Sequence, residues 1–353
     1  MLLLWKSRPQ MKTLVASALI LVGSCSTIRH TEKIENLKDS IQFNDKAIVE
    51  EYLLTIDKEE LKSHVVEVSS DKYNGRMTGE KGHNEVCDYI RQHYISQDIQ
   101  APKTHPNYYQ KVPKEVLPDS LNDSQNIIAY IEGSEFPNEY IYISAHSDHE
   151  GVIDGEIYNG ADDNGSGTAA VLEIAEAFSK AVKDGYRPKR SIVFLHVTAE
   201  EVGLHGSRYY TNNPIFPLED TVTTLNIDMI GRVDERHTNN KNYIYLIGAD
   251  RMSTELHFIA QKANTEFTNL ELDYKFNAEN DNNRYYYRSD HYNFAVKGIP
   301  VIFFFNGEHE DYTKPTDTAD KINYPLLTKR TKLIFATAWY LANSPERIYP
   351  EII

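Results

Sequence analysis

Short apolar runs separated by polar stretches recur along the chain from about residue 126 onwards. Six of these runs have the length and composition of buried strands; they span residues 126–131, 140–145, 191–197, 222–227, 243–247 and 299–305. Helical patterns with apolar residues at i, i+3 and i+4 lie between some of the runs, at residues 170–178, and again at 326–341. Strands that alternate with helices predict an α/β fold with a mixed, mostly parallel central sheet and helices on both faces.

The N-terminal segment has a different pattern. In the stretch MKTLVASALILVGSC, residues 11–25, Lys12 precedes an apolar run that is too short to span a bilayer. Small residues then lead to Cys25, and this arrangement resembles the lipobox of bacterial lipoproteins. We expect a bacterial cell-envelope protein that is exported and held to the membrane only by a lipid on Cys25, with an uncleaved membrane anchor as the alternative.

These patterns divide the chain into three predicted segments. Residues 1–24 form a signal peptide, for which Met11 is an alternative start, and residues 25–48 form a polar tether. From residue 49 to 353 no Pro/Gly/Ser-rich linker and no internal repeat interrupts the sequence. We therefore expect one folded domain over residues 49–353.

The net charge and the cysteine count limit which partners the protein can bind and how its fold is stabilised. The chain has 353 residues and a formal net charge of −15, whereas a protein that binds nucleic-acid phosphates needs a basic face. We therefore expect no nucleic-acid partner. Cys87 is the one cysteine beyond Cys25, so the fold is expected to depend on its core and its metals rather than on a disulfide. Cys87 follows a helical pattern and is interpreted as a buried structural residue.

Histidine and carboxylate residues follow four of the predicted strands. A fifth segment, GADDNGSG, carries two aspartates directly before a predicted helix. The residues concerned are, in chain order, His146, Asp162, Asp163, Glu200, Glu201, Asp228, Glu308, His309, Asp311 and Tyr312. Because α/β sheets place their ligand sites at the carboxyl ends of the strands, these side chains are predicted to gather at one edge of one sheet.

Such a cluster of carboxylates predicts a bound cation. Neighbouring carboxylates raise one another's pKa values unless a cation neutralises them. Zinc accepts both nitrogen and oxygen ligands, and two zinc ions about 3.5–4 Å apart, bridged by one carboxylate, recur in hydrolases. The pattern therefore indicates a zinc hydrolase with two zinc ions per chain.

Taken together, these segments resemble the co-catalytic zinc exopeptidases, a family of bacterial secreted aminopeptidases whose relatives include plasma glutamate carboxypeptidase and the glutaminyl cyclases. The similarity extends from SSDKYNGRMTGEKG through AHSDH, GADDNGSG, TAEEVGLHGS, NIDMIGR, RSDHYNF and GIPVIFFF to DYTKPTDTADKI. It implies a zinc-dependent metallo-aminopeptidase that hydrolyses the N-terminal peptide bond of peptide substrates.

The resemblance also implies roles for individual residues. The metal ligands that it implies are His146 and Asp228 for the first zinc, Asp163 as the bridging carboxylate and Glu201 for the second zinc. The other roles fall to Glu200 as general base, Asp148 as the group that fixes His146, and Arg288 and Tyr312 as residues that steady the substrate and the developing oxyanion. His149 and His205 match no ligand position and are interpreted as local hydrogen bonders.

One position departs from the family pattern. The family reads Asp-Tyr-His near its end, where the His binds the second zinc, but here the third residue is Thr313. Three explanations stay open: His309 substitutes through a local shift of the loop, the second zinc is held weakly by Glu201, Asp163 and water, or the enzyme has lost its activity. The functional alternatives are accordingly a single-metal, glutaminyl-cyclase-like enzyme or a non-catalytic peptide-binding surface lipoprotein.

Overall fold

A computed structural model of the chain describes residues 31–351. It divides into two compact units, and the first, which ends at Gln42, contains helix α1 over residues 31–40. The second unit begins at Phe43, a few residues before the predicted boundary at residue 49. The predicted signal peptide and Cys25 lie outside the described residues. Among residues 31–351 no helix combines the length and apolar content needed to cross a membrane.

An eight-stranded sheet forms the centre of the second unit. Its strands in chain order, interrupted by the small β4–β5 hairpin, are β1 Tyr109–Val112, β2 Ser124–Ile131, β3 Phe136–His146, β4 Gly151–Ile153, β5 Glu156–Tyr158, β6 Arg190–Val197, β7 Thr221–Ile227, β8 Tyr243–Ile247, β9 Glu271–Asp273 and β10 Val301–Phe305. The spatial order of the sheet is β1-β2-β6-β3-β7-β10-β8-β9. Strands β6, β3, β7 and β10 are parallel, whereas β2 and β8 flank them in antiparallel orientation. The predicted mixed, mostly parallel sheet is confirmed, and all six predicted strands are present within a few residues of their expected bounds.

Helices cover both faces of this sheet. They are α2 Lys46–Leu53, α3 Lys58–Val68, α4 Lys81–Ser96, α5 Gly167–Lys183, α6 His205–Asn212, α7 Thr254–Ala263, α8 His291–Ala295 and α9 Tyr324–Asn343. Helices α5 and α9 pack against each other and against β3. On the other face, Tyr210 of α6 and Phe294 of α8 contact the ring of Tyr142. Cys87 is fully buried in α4, which confirms its structural interpretation.

Three of the four central parallel strands are buried along their whole length. Every residue of β6, β7 and β10 is buried, as expected for parallel strands covered by helices on both sides. In this register His146 lies beside Val197 of β6, and Ser144 lies beside Asn226 of β7. The carboxyl ends of β3, β6 and β7 therefore stop at the same edge of the sheet, and the residues that follow them are brought together.

Candidate metal centre

The first group of polar side chains lies where β3 and β7 end. His146 is the last residue of β3, and its Nε2 is 3.3 Å from Oδ1 of Asp163 and 3.4 Å from Oδ1 of Asp228. Asp163 precedes α5, and Asp228 directly follows β7. Each of the three residues offers one ligand atom, and these atoms lie within 4.8 Å of one another.

A second group shares Asp163 with the first. In this group Nδ1 of His149 is 2.5 Å from Oε1 of Glu201, and one ligand atom from each of His149, Asp163 and Glu201 lies within 4.8 Å of the others. Glu200 and Glu201 also group with His146 at the same distance limit. Asp163, the carboxylate predicted to bridge two metal ions, is therefore the residue that the His146 group and the His149 group have in common.

Burial and mutual repulsion perturb the acids of this centre. Burial, followed by the charge of Glu201, raises the pKa of Asp163 to about 6. Burial likewise raises the pKa of Glu201 to about 8 and that of Glu200 well above its usual value. Burial lowers the pKa of His146, but the charges of Asp228 and Glu200 outweigh this and raise it well above its usual value. A cation among these acids would favour their charged forms.

The donor set fits zinc. Imidazole nitrogens and carboxylate oxygens are ordinary zinc ligands, and the two groups present His146, Asp163 and Asp228 on one side and His149, Asp163 and Glu201 on the other. Each group combines one imidazole with two carboxylates. The shared carboxylate matches the arrangement in which two metal ions lie close together in hydrolytic sites.

Asp148 supports this centre through several contacts. Its Oδ2 accepts a hydrogen bond of 2.8 Å from Thr78 Oγ1, and its Oδ1 accepts one of 3.3 Å from the backbone N–H of Glu200. Nδ1 of His146 is 3.2 Å from the backbone oxygen of Asp148 and 3.9 Å from its carboxylate. The backbone carbonyl is therefore the closer partner of His146, and it leaves Nε2 directed at the acids.

Asp228 is held by a chain of hydrogen bonds. Ser289 Oγ donates to Oδ2 of Asp228 at 2.6 Å, and Asn226 Nδ2 donates to Ser289 Oγ at 2.8 Å. The backbone N–H of Asp228 donates to the carbonyl of Phe304 in β10. The position of Asp228 therefore depends on two neighbouring strands and on the segment before α8.

The loop that carries Asp163 is fixed by two buried charged residues. Oδ2 of Asp317 accepts the backbone N–H groups of Asp162 at 2.9 Å and Asp163 at 3.1 Å. The guanidinium of Arg76 donates to backbone carbonyls of both neighbouring loops; its acceptors are Val68, Ser147, Asn159, Gly160 and Asp163. Arg76 and Asp317 were not singled out from the sequence, although they lie in segments, NGRMTG and TDTADKI, that carry the family resemblance.

A pocket opens beside the acids. It is partly open to solvent. Its polar lining includes Glu200, Arg288 and Tyr312, and its apolar lining consists of Met229, Tyr285, Phe303 and Phe305. Arg288 donates to Oε1 of Glu308 at 3.1 Å and to the hydroxyl of Tyr312 at 3.2 Å. The predicted residues Arg288 and Tyr312 therefore lie together at the pocket that contains Glu200.

Comparison with known proteins identifies the family. The sequence profile of peptidase family M28 matches residues 126–338, which is more than half of the chain. The chain belongs to peptidase family M28. It is 36% identical to leupeptin-inactivating enzyme 1 of Streptomyces exfoliatus over 197 residues, which are 56% of this chain and 38% of that enzyme. The matched part of the chain covers at most little more than half of the length of each of these curated relatives.

Solved structures share the fold of this M28 member. The LapA aminopeptidase of Legionella pneumophila superimposes with a TM-score of 0.68 at 20% identity, over 87% of this chain and 77% of that chain. The glutaminyl cyclase of Porphyromonas gingivalis superimposes with a TM-score of 0.65 at 17% identity, over 80% of this chain and 97% of that chain. The α/β/α architecture predicted from the sequence is therefore shared with these two solved structures.

Neither Thr313 nor His309 takes part in the groups described above. Thr313 is exposed, and its hydroxyl donates to the carbonyl of Tyr312 at 2.8 Å. Nε2 of His309 lies 3.1 Å from Oδ2 of Asp162 rather than near Glu201. The turn from His309 to Tyr312 places the imidazole against Asp162 in this structure. The imidazole beside Glu201 belongs instead to His149, which was interpreted from the sequence as a hydrogen bonder.

Proposed function

We propose that this M28 member is a zinc-dependent aminopeptidase that hydrolyses the N-terminal peptide bond of peptides. One observation carries the proposal. Two imidazole–carboxylate groups share Asp163, and the carboxylate of Glu200 lies beside them at a pocket lined by apolar side chains. This combination supplies sites for two cations, a proton acceptor and a place for a substrate side chain.

The residues of the two groups would hold the metal ions. His146, Asp163 and Asp228 would hold one zinc, and Asp163 and Glu201 would hold the other. When bound, zinc polarises a carbonyl oxygen and lowers the pKa of a bound water from its bulk value towards about 7. The protein's part is to hold the acids in place, which the contacts of Asp148, Ser289 and Asp317 achieve.

Glu200 is suited to the proton transfers. It lies three residues after Val197, the last residue of β6, and its backbone N–H is anchored on Asp148. As general base, its carboxylate accepts the proton of the attacking water and then delivers it to the leaving amine. Its place beside His146 and Glu201 brings it within the same cluster of acids and imidazoles.

Arg288 and Tyr312 act on the carbonyl group of the scissile peptide bond. The guanidinium of Arg288 donates to the Tyr312 hydroxyl and lies 4.8 Å from the centroid of the Tyr285 ring. A fixed cation that contacts a phenol strengthens the phenol as a hydrogen-bond donor. The pair therefore stabilises negative charge that develops on the carbonyl oxygen during attack.

The pocket also accounts for recognition of the first residue. Carboxylates beside the metal ions bind the free α-amine of the substrate, which restricts attack to the first peptide bond. The apolar wall of Met229, Tyr285, Phe303 and Phe305 accepts the side chain of that residue. We therefore expect an apolar N-terminal residue in preferred substrates.

Hydrolysis of a panel of aminoacyl-arylamides and dipeptides tests this function. We expect zinc-loaded protein to release apolar amino acids and chelator-treated protein to release none. Cyclisation of a glutaminyl peptide without any hydrolysis would favour the glutaminyl-cyclase-like alternative. Absence of both reactions in protein that contains zinc would favour a non-catalytic peptide-binding lipoprotein.

We further propose that the protein is an exported lipoprotein of the bacterial cell envelope, anchored only through a lipid on Cys25. The support is the lysine, short apolar run and small residues that precede Cys25. Labelled palmitate should enter the full chain, and Cys25→Ala should abolish the incorporation. Unchanged incorporation into the variant would contradict the proposed site of lipidation.

A further inference from the structure

The second group of ligands contains an imidazole from an unexpected place in the chain. His149 is fully buried, and its Nδ1 is 2.5 Å from Oε1 of Glu201. His149, Asp163 and Glu201 each direct one ligand atom into a space where the three atoms lie within 4.8 Å of one another. The end of β3 and the three residues after it, 146–149, thus supply one imidazole to each of the two groups.

The backbone around His149 is shaped to hold this ring. The N–H of His149 donates to the carbonyl of Arg76 at 3.2 Å. Gly160 has a φ of +52°, and a Cβ at this position would lie 2.5 Å from both Cγ and Cδ2 of the His149 ring. The absence of a side chain at Gly160 therefore makes the room that the imidazole occupies beside Asp163.

The residue at the family's histidine position and the alternative imidazole of His309 both contact other residues. Thr313, at the position where the family has its histidine, is exposed and donates to the carbonyl of Tyr312. His309 contacts Asp162 at 3.1 Å. Within residues 31–351, His149 is the imidazole that groups with both Asp163 and Glu201.

We propose that His149 is the imidazole ligand of the second zinc and replaces the histidine that the family has at position 313. This inference rests on the proposed zinc centre and specifies its ligands. Each ion then has one imidazole, the shared Asp163 and one further carboxylate, which is Asp228 for the first zinc and Glu201 for the second. The threonine at 313 leaves the number of ligands unchanged, because the missing imidazole is supplied from the end of β3.

The zinc content of the purified protein, measured by mass spectrometry after equilibration with limiting zinc, tests the proposal without reference to activity. We expect two zinc ions in the parent and one in both His149→Ala and His149→Gln. The glutamine variant is decisive, because its side chain can still form a hydrogen bond with Glu201 but is a poor zinc ligand. Affinity for the second ion should fall by at least the roughly 10–100-fold that follows loss of a supporting residue around a metal ligand.

Two further variants complete the experiment. His309→Ala should keep two zinc ions, and Thr313→His in the His149→Ala background should restore the second ion. Two zinc ions in His149→Gln, one in His309→Ala, or one in the double variant would each overturn the assignment. A parent that binds two zinc ions but hydrolyses no peptide would contradict the proposed function and leave the ligand assignment intact.

Discussion

Replacing Arg76 with methionine should destabilise the protein strongly. The side chain is buried, and its guanidinium donates to five backbone carbonyls, including those of Val68 at 2.9 Å and Gly160 at 3.0 Å. Burial lowers the pKa of Arg76, whereas the charges of Asp163 and Asp148 oppose this effect. The residue thus couples three segments of backbone and places one positive charge among the acids of the metal centre.

The magnitude follows from the acceptors that the change leaves unpaired. A buried acceptor without a partner costs about 1–3 kcal/mol, and hydrogen bonds to charged groups contribute about 1.5–3 kcal/mol. The effects are not additive, because the carbonyl of Gly160 keeps a second donor in the N–H of Gly165. Two or three uncompensated carbonyls give a loss of roughly 3–5 kcal/mol, and at about 2–4 °C per kcal/mol the Tm should fall by about 6–20 °C.

Thermal unfolding followed by circular dichroism in zinc-containing buffer measures this loss. Arg208→Met is a matched control, because Arg208 is exposed and its side chain donates to a single backbone carbonyl, that of Gly203. Its stability should change by no more than about 0.5 kcal/mol. A Tm of Arg76→Met equal to that of Arg208→Met would refute the reasoning.

Three other changes test separate parts of the centre and the core. Glu200→Gln should keep its zinc and lose about 10²–10⁴-fold in kcat on an aminoacyl-arylamide; full turnover would remove Glu200 from the mechanism. Chelation should lower the Tm, and added zinc should restore it, with about 4 kcal/mol of stabilisation at 1,000 times the Kd; an unchanged Tm would contradict metal binding by the folded state. Burial raises the pKa of Glu173 in α5 to about 8, so above pH 4.5 the unfolded chain releases a proton that the folded chain retains. Glu173→Gln should therefore gain roughly 3–5 kcal/mol on the parent between pH 4.5 and 8 in denaturant titrations, whereas a gain independent of pH would contradict the burial effect.

The part of the site that follows directly from the strands could be predicted from the sequence. Short apolar runs indicated the central strands, and parallel strands bring their carboxyl ends to one edge. His146 and Asp228 directly follow such runs, and Glu200 and Glu201 lie three and four residues beyond the end of another. To predict that these side chains lie together, it was enough to identify the strands and their relative direction. The short edge strands β1 and β9 were not predicted, since strands of three or four residues with polar positions depend on their neighbours for pairing.

The remaining contacts depend on turns that the apolar pattern does not encode. His149 lies only three residues after His146, yet its approach to Glu201 requires the chain to turn beside Gly160. Arg76 reaches the centre from a segment before α4, far away in the sequence. His309 was considered because it precedes Thr313 by four residues, but proximity in sequence did not determine the direction of its imidazole.

Arg76 positions the residues of both metal sites. A change at Arg76 should therefore affect the binding of both zinc ions, whereas a change at a single ligand should affect one. Arg76 accepts the N–H of His149 on its carbonyl, and its guanidinium donates to the carbonyls of Ser147 and Asp163. The segment that supplies both imidazoles and the loop that supplies the bridging carboxylate are therefore held by one residue. Arg76→Met should weaken binding of both zinc ions together in a zinc titration, whereas His149→Gln should weaken one. Selective loss of a single ion from Arg76→Met would show that the two segments are positioned independently.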